Sequence, residues 1–215
     1  MIKIENAQLF GWDAAIRGMR NPKNSWSNSD TNWLRYYGMN NLMCDDFIGE
    51  NDLKLMKILA KAGTDHGKFL RMIHVQVDVT APLYWWKEAD QYKVGTVTDS
   101  CSTMHKIHAK EFTLDDFSCE HLYDDVIDTP FKTIVGCLNF FRGLYLQHEN
   151  KEDWWQMIQL LPSSYNQKRT WDGNYAVLRA TYHARKNHKL DEWRDFCRWI
   201  EDLPYAKELI VGEEE

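Results

Sequence analysis

The chain has 215 residues, with 26 basic and 32 acidic side chains giving a net charge of −6, and it is 44% apolar and 13% aromatic. This composition excludes a disordered tail and a tandem array. A chain this long buries roughly two-thirds of its unfolded surface, so a single globular domain over residues 1–215 needs neither disulfides nor a structural metal. The acidic balance argues against a broad nucleic-acid surface, whose affinity comes from neutralising phosphates, but leaves room for a small phosphate pocket.

Five cysteines, an odd number spread from Cys44 to Cys197 with no C-x-x-C pair, fit free thiols in a reducing compartment. The expected location is therefore the cytoplasm. No apolar run approaches the roughly 20 residues of a membrane span, and the opening MIKIENAQLF lacks the basic head and apolar stretch of a signal peptide.

In chain order, Ile2 to Phe10 reads as a short strand and Asp13 to Met19 as a short helix carrying Arg17, with Arg20 just beyond. Asn21 to Gly49 is Asn- and Ser-rich with interleaved aromatics and no sustained period, which predicts a long loop. Asn51 or Asp52 can cap a helix through Lys61 that ends at Gly63. Ile73, Val75, Val77 and Val79 alternate with His74, Gln76, Asp78 and Thr80, the pattern of a half-buried strand stopped by Pro82.

Leu83 to Gln91 then reads as helix and Lys93 to Ser102 as a small-residue loop. Past the acidic stretch Asp115 to Asp128, Thr129 is the expected cap and Pro130 the opening of a long helix, with Phe131, Val135, Leu138 and Tyr145 on one stripe. Helices are also expected over Lys151 to Leu161, Asp172 to Asn187 and Leu190 to Asp202, punctuated by Pro162 and Pro204. Glu213 to Glu215 read as a solvated end. The class is α/β or α+β, with helix predominating.

Generic site patterns fail. Gly63 to Lys68 (GTDHGK) has three residues between its glycines where a phosphate loop has four, and Phe69 stands where Ser or Thr must reach magnesium. No G-x-G-x-x-G follows a strand. His105 and His108 share i, i+3 spacing but no third ligand completes a set, so no metal is expected. The acidic pairs at 45–46, 115–116 and 124–125 read as solvated charge, and Cys119 near His121 fixes no nucleophile–base geometry.

Two stretches stand out. Leu161 to Leu190 (LPSSYNQKRTWDGNYAVLRATYHARKNHKL) places Asn174 thirteen residues after Leu161 of the Leu161-Pro162 pair, and Arg185 eleven residues after that, with His188 following. Thr64 to His105 carries His66, a strand ending in Ala81-Pro82, an aromatic helix and the loop TVTDSCSTMH. In this order and at this length the chain resembles the flavin-dependent thymidylate synthases, and AAIRGMR (Ala14 to Arg20) is similar to that family's first Arg-containing helix.

The chain departs from the family at its signature, Arg-His-Arg, seven residues, then Ser-x-Arg. Here the corresponding segment is QYKVGTVTDSCSTMH: the triplet becomes Gln91-Tyr92-Lys93 or Tyr92-Lys93-Val94, and the later Arg becomes Thr103 or Met104. Those arginines hold flavin and phosphate in the family, and a bidentate guanidinium is not replaced by a lone ammonium. Lys93, Lys87 and Arg71 are the nearest substitutes.

The resemblance implies a twisted, mostly antiparallel sheet flanked by helices, a homotetramer with sites between subunits, and a divergent protein that binds a dUMP-like pyrimidine nucleotide and FAD. NADPH and methylenetetrahydrofolate would serve a methyl or one-carbon transfer to the base. The alternative is a non-catalytic nucleotide sensor or sequestering oligomer on the same fold. The implied cofactor contacts are His66, Lys93, Asn174 and His188; the implied nucleotide contacts are Ser100, Ser102 and Arg185, with backbone amides of Gly95 to Ser100 as an anion nest. Read from the residues alone, Asn174 equally suits a helix cap, Arg185 and His188 suit a helix end, and His66 suits a helix start. Trp85 and Trp86 read as core or interface rather than a flavin stack.

Overall fold

The structure is a computed structural model that describes residues 1–38 and 46–212. Strand β1 (Lys3–Phe10) is followed by α1 (Trp12–Arg20), two 3-10 turns (Asn21–Lys23 and Trp26–Asn28), α2 (Trp33–Gly38) and α3 (Glu50–Lys61). A 3-10 segment (Gly67–Met72) leads into β2 (His74–Pro82), α4 (Leu83–Ala89) and β3 (Val97–Ser100). Then come α5 (Asp124–Val126), α6 (Lys132–His148), α7 (Lys151–Leu160), β4 (Asn166–Asn174), α8 (Tyr175–Arg185) and α9 (Asp191–Glu201). The four strands form one antiparallel sheet in the order β1-β2-β4-β3, and the helix-rich α/β class is as expected. None of the described helices is long and apolar enough to cross a membrane.

Two compact units divide the chain. The first comprises residues 1–3, 79–90 and 99–169. Its core gathers Ile107, Phe112, Phe117, Phe131, Val135, Leu138 and Met157, against which Phe141, Tyr145 and Trp154 pack. Helices α6 and α7 form a hairpin because Glu149 adopts a left-handed conformation (φ 52°) that ends α6. The next residue, Asn150, caps α7 by accepting the Glu152 N–H at 3.0 Å. Trp85 and Trp86 are core residues, 2% and 1% exposed, and the Trp86 indole donates to Gln167 O at 2.9 Å.

The second unit comprises residues 4–78, 91–98 and 170–215. It buries one stripe each of α1, α3, α8 and α9 through Trp12, Ile16, Met56, Leu178, Trp193, Phe196 and Ile200. The alternation read in β2 holds: Val75 and Val77 are buried while Gln76 is exposed.

Four expectations are corrected. Asn166–Asn174, read as loop running into helix, is strand β4, so α8 begins at Tyr175 and not Asp172. Val97–Ser100, read as loop, is strand β3 paired with β4, so its amides are extended and make no nest. Pro130 lies inside a wide helical turn (Ile127–Phe131) that begins at α5, in which the Lys132 N–H reaches back to Ile127 O; an i to i+5 turn tolerates a residue with no donor. The Asn21 to Gly49 stretch contains α2, and α3 starts at Glu50 because the Asp30 carboxylate accepts the N–H groups of Asn51 (3.0 Å) and Asp52 (3.1 Å) from across the loop. Asp45, Cys44 and Glu213 to Glu215 lie outside the described residues.

Candidate functional site

In the second unit, Gly63 to Lys68 forms a tight turn in which His66 N and Gly67 N both donate to Gly63 O, at 3.2 and 2.9 Å. Gly63 takes φ +95°, the left-handed step that lets the chain leave α3. This turn, Ala60 and Lys61 at the end of α3, Leu70 and Arg71 of the 3-10 segment, and the stripe Ala176, Arg179, Ala180 and His183 of α8 enclose a cavity of about 310 Å³. Its floor is small because Gly63, Gly67 and three alanines line it; its cations are Lys61, Arg71 and Arg179, the His183 imidazole stands beside them, and there is no carboxylate among the described lining residues.

Arg179 and His183 are held from behind. Arg179 Nη1 donates to Leu209 O at 2.8 Å, and His183 Nε2 donates to Ile210 O at 3.0 Å. Burial pulls the Arg179 guanidinium below its ordinary pKa, a desolvation that a bound anion offsets. The motif that fails as a phosphate loop thus forms one wall of a cationic cavity.

The other predicted residues of this unit fall at the two ends of α8. Asn174 is 5% exposed and caps the helix: Oδ1 accepts the Val177 N–H at 3.1 Å, and Nδ2 donates to Gly95 O at 3.3 Å. Gly95 must be glycine, since it has φ +79° and a Cβ there would stand 2.8 Å from Asn174 Nδ2. Lys93 lies exposed on the same 91–96 loop. At the far end of α8, Arg185 Nε donates to Tyr92 Oη at 2.9 Å, and its guanidinium lies 4.9 Å from the Trp193 ring centre. His188 turns the chain into α9, its Nδ1 accepting the Leu190 N–H at 3.2 Å. His66 is exposed on the rim turn.

In the first unit, a cavity of about 580 Å³ is lined by Cys101, Ser102, Lys106, Lys110, Tyr165, Gln167, Lys168 and neighbouring residues. Ser102 Oγ accepts the N–H groups of Met104 (3.1 Å) and His105 (2.8 Å), which fixes the turn after β3. Ser100, exposed at the end of β3, is not on this wall. Gln167 Nε2 donates to Cys101 O at 2.7 Å, tying the turn to β4. Asp116 also lines the cavity, but its carboxylate is engaged by Thr113 in a capping box and by Lys110. Burial, with smaller contributions from Asp116 and Cys101, pushes the Tyr165 phenol up, so it remains a neutral donor.

Sequence reasoning named Arg71 among these lining residues but missed Lys61, Arg179, His183, Lys106 and Lys168. The 176, 179, 180, 183 spacing was the available signal for α8, since it puts an arginine, a histidine and two alanines on one face. Other sequence expectations resolve simply. His105 and His108 stand in a run of turns, not on a helix, with His108 packed on the Tyr145 ring at 4.8 Å. Among the described residues no group of three His, Cys, Asp or Glu is placed to hold a metal ion. Asp116, read as solvated charge, is a buried cap. Burial and then Glu120 push the Cys119 thiol up, the opposite of nucleophile activation.

No protein-family model matches this sequence, and no curated protein matches it. Solved structures do. The chain is similar to thymidylate synthase X of Helicobacter pylori crystallised with FAD and dUMP, at a TM-score of 0.69 and 16% identity over 98% of this chain and 97% of that one. A second structure of the flavin-dependent enzyme from the same organism, also complexed with FAD and dUMP, gives a TM-score of 0.67 and 16% identity over 97% of both chains. At that identity the likeness establishes the fold: near its full length, this chain is folded as those thymidylate synthases are.

Proposed function

We propose that this protein is a divergent thymidylate-synthase-like protein that binds FAD and a dUMP-like pyrimidine nucleotide and carries out one-carbon transfer to the base. The observation that carries the reading is the cavity of the second unit, where the cationic Lys61, Arg71 and Arg179 and the His183 imidazole surround a glycine- and alanine-lined floor with no carboxylate among the described lining residues. Such a cavity matches a diphosphate: the small residues admit it closely and the cations neutralise it. It supplies by other residues the charge that the missing signature arginines carry in the family. When bound, FAD supplies the redox chemistry, and the protein supplies position and charge.

In this reading Lys61, Arg71, Arg179 and His183 hold the cofactor phosphates, with His66 and Lys93 as further cofactor contacts. Asn174 and His188 are positioning residues, which set the two ends of α8 and so the register of Arg179 and His183 along it. Ser102, with Lys106 and Lys168 on the same wall, contacts the nucleotide; within the second unit Arg185 donates to Tyr92 Oη and its guanidinium lies beside the Trp193 ring. Assembly as a homotetramer in the cytoplasm is part of the same proposal.

The test is ligand-dependent stability. A ligand at 100 times its Kd stabilises the native state by about 2.7 kcal/mol, which for a chain of this size moves Tm by roughly 5 to 10 °C. FAD and dUMP should each raise Tm, and Arg71→Ala, an exposed residue, should lose the FAD response while keeping the dUMP response. Oxidation of a reduced nicotinamide that depends on dUMP reports the transfer. Protein that retains no flavin absorbance on dialysis and gains no stability from millimolar FAD or dUMP refutes the reading.

A further inference from the structure

Arg179 and His183 stand four residues apart on α8, one turn above the other on the face that lines the cationic cavity. Each is tied from behind to a carbonyl of the helical turn Lys207–Val211: Arg179 Nη1 to Leu209 O at 2.8 Å and His183 Nε2 to Ile210 O at 3.0 Å. The consequence differs for the two side chains. A guanidinium is always charged and has five N–H donors, so Arg179 has donors to spare after that bond. An imidazole has two nitrogens, and His183 has one left.

A carbonyl oxygen only accepts, so Nε2 of His183 carries a proton in both charge states of the ring, and the neutral tautomer is fixed. The remaining nitrogen, Nδ1, has no hydrogen-bond partner among the described residues. On the neutral ring Nδ1 is a lone pair, which repels an anionic oxygen. On the imidazolium it is a charged N–H, which donates to one. An anion among Lys61, Arg71 and Arg179 therefore gains a contact from the protonated ring that the neutral ring does not give, and by linkage the anion and the proton favour each other.

The charged groups on the elements around His183 leave this role to it. Arg179 and Lys186 share its face of α8; the end of α3 carries Lys61; the turn and 3-10 segment carry Asp65, His66, Lys68 and Arg71; and the Lys207–Val211 turn carries Lys207 and Glu208. On α9, which packs against α8, Glu192 is buried and Glu201 accepts from Tyr182 Oη at 2.8 Å. Imidazole is the ordinary side chain that changes charge between about pH 5 and 8, and two of these groups are imidazoles. His66 is exposed and is not on the cavity wall, whereas His183 is.

We propose that His183 is a proton-controlled ligand of this cavity: its ring takes up a proton when a phosphate or sulfate oxygen binds beside Lys61, Arg71 and Arg179, so the cavity holds its anion more tightly as pH falls. The sign follows from the extra proton belonging to the occupied state, which makes the added affinity present at low pH and lost as pH rises. The inference rests on the reading of this cavity as a phosphate site and adds to it what controls occupancy.

The experiment titrates the full-length protein with sulfate and with FAD by calorimetry, from pH 6 to pH 8, in buffers of different ionisation enthalpy. Neither sulfate nor the diphosphate of FAD changes its own charge across this range, so proton uptake belongs to the protein. Sulfate should bind at least fivefold more tightly at pH 6 than at pH 8, and both ligands should bind near pH 7 with proton uptake, read as an enthalpy that depends on the buffer. His183→Gln, whose amide still donates to Ile210 O but cannot charge, should bind with no uptake and less than twofold dependence on pH. In the parent, the NMR titration of the His183 ring should move to higher pH in saturating sulfate, a reading that does not depend on the variant folding. No saturable sulfate binding, affinity independent of pH, an unmoved His183 titration, or uptake that persists in His183→Gln and vanishes in His66→Gln overturns the proposal. Sulfate binding with proton uptake but no FAD binding refutes the function proposed above and leaves this inference standing; FAD binding without uptake does the reverse.

Discussion

Asp52→Asn tests how the 25–31 loop is held. Asp52 has no exposed surface and Arg20 is 4% exposed. One carboxylate oxygen takes Arg20 Nε at 2.6 Å; the other takes Ser29 Oγ (2.7 Å), Asp30 N (3.1 Å), Thr31 N (3.2 Å) and Thr31 Oγ1 (2.6 Å). An amide in the same place must turn its NH₂ either toward the guanidinium or toward the loop donors, so one set of donors loses its acceptor whichever way it flips. Breaking a buried ion pair from one side costs about 3–5 kcal/mol, which at roughly 2–4 °C per kcal/mol for this chain length lowers Tm by roughly 6 to 20 °C.

Urea unfolding at pH 7 measures the cost, and the acid limb adds a second reading. Burial pushes the Asp52 carboxyl up, but hydrogen bonds from Thr31, Ser29 and Arg20, with the Arg20 charge, outweigh it and leave the pKa below its ordinary value. A depressed folded pKa means the stabilisation is fully present above the unfolded value of about 4 and is lost as pH falls through the lower folded value. The gap between parent and Asp52→Asn should therefore be flat from pH 5 to 8 and close below pH 4. The double variant Arg20→Met/Asp52→Leu removes both charges, yet still strands the Ser29, Asp30 and Thr31 donors, and should remain about 1–3 kcal/mol below the parent. A single-variant cost under 1 kcal/mol, or full recovery in the double variant, refutes the reasoning.

Two further outcomes follow from local geometry. Asn174→Ala removes a helix cap worth about 1 kcal/mol and releases the Gly95 carbonyl, so amide exchange should quicken across residues 91–96; Gly95→Ala forces a side chain into left-handed backbone, about 1–2 kcal/mol, against Asn174. Unchanged exchange in both variants would show that the cap does not hold that loop. Cys197 is buried, and burial followed by Glu201 pushes its thiol up to about 11, whereas Cys101 and Cys137 are exposed. Mass spectrometry after brief alkylation at pH 8 should find Cys101 and Cys137 modified and Cys197 intact, and equal labelling would contradict its burial.

Helices and strands whose partners are the solvent and a core were legible in the chain alone. The alternation of Val75 and Val77 with Gln76, and the stripe of Phe131, Val135 and Leu138, which are all buried, each encode a local choice between one wet and one dry side. Arg185 and Asn174 were singled out by the resemblance to the family's spacing, and they stand at the two ends of α8. Strand β4 was not legible, because NQKRTWDGN carries no apolar alternation. Gln167 is buried there only because Cys101 O accepts its side-chain amide, and Asn166 is satisfied by Ser118 at 2.8 Å.

Composition, periodicity and cap chemistry therefore determined the helix-rich class and most of the helices, while the resemblance picked out Asn174 and Arg185 at the ends of α8. Which cations converge was decided only in three dimensions. Lys61 and Arg71 come from one stretch of the chain and Arg179, with His183, from another far away in sequence, and the Asp52 network joins residues 20, 25–31 and 52. Such groupings are energetically defined by desolvation and by partners supplied across the fold, and a polar residue carries no local mark of the partner it will meet.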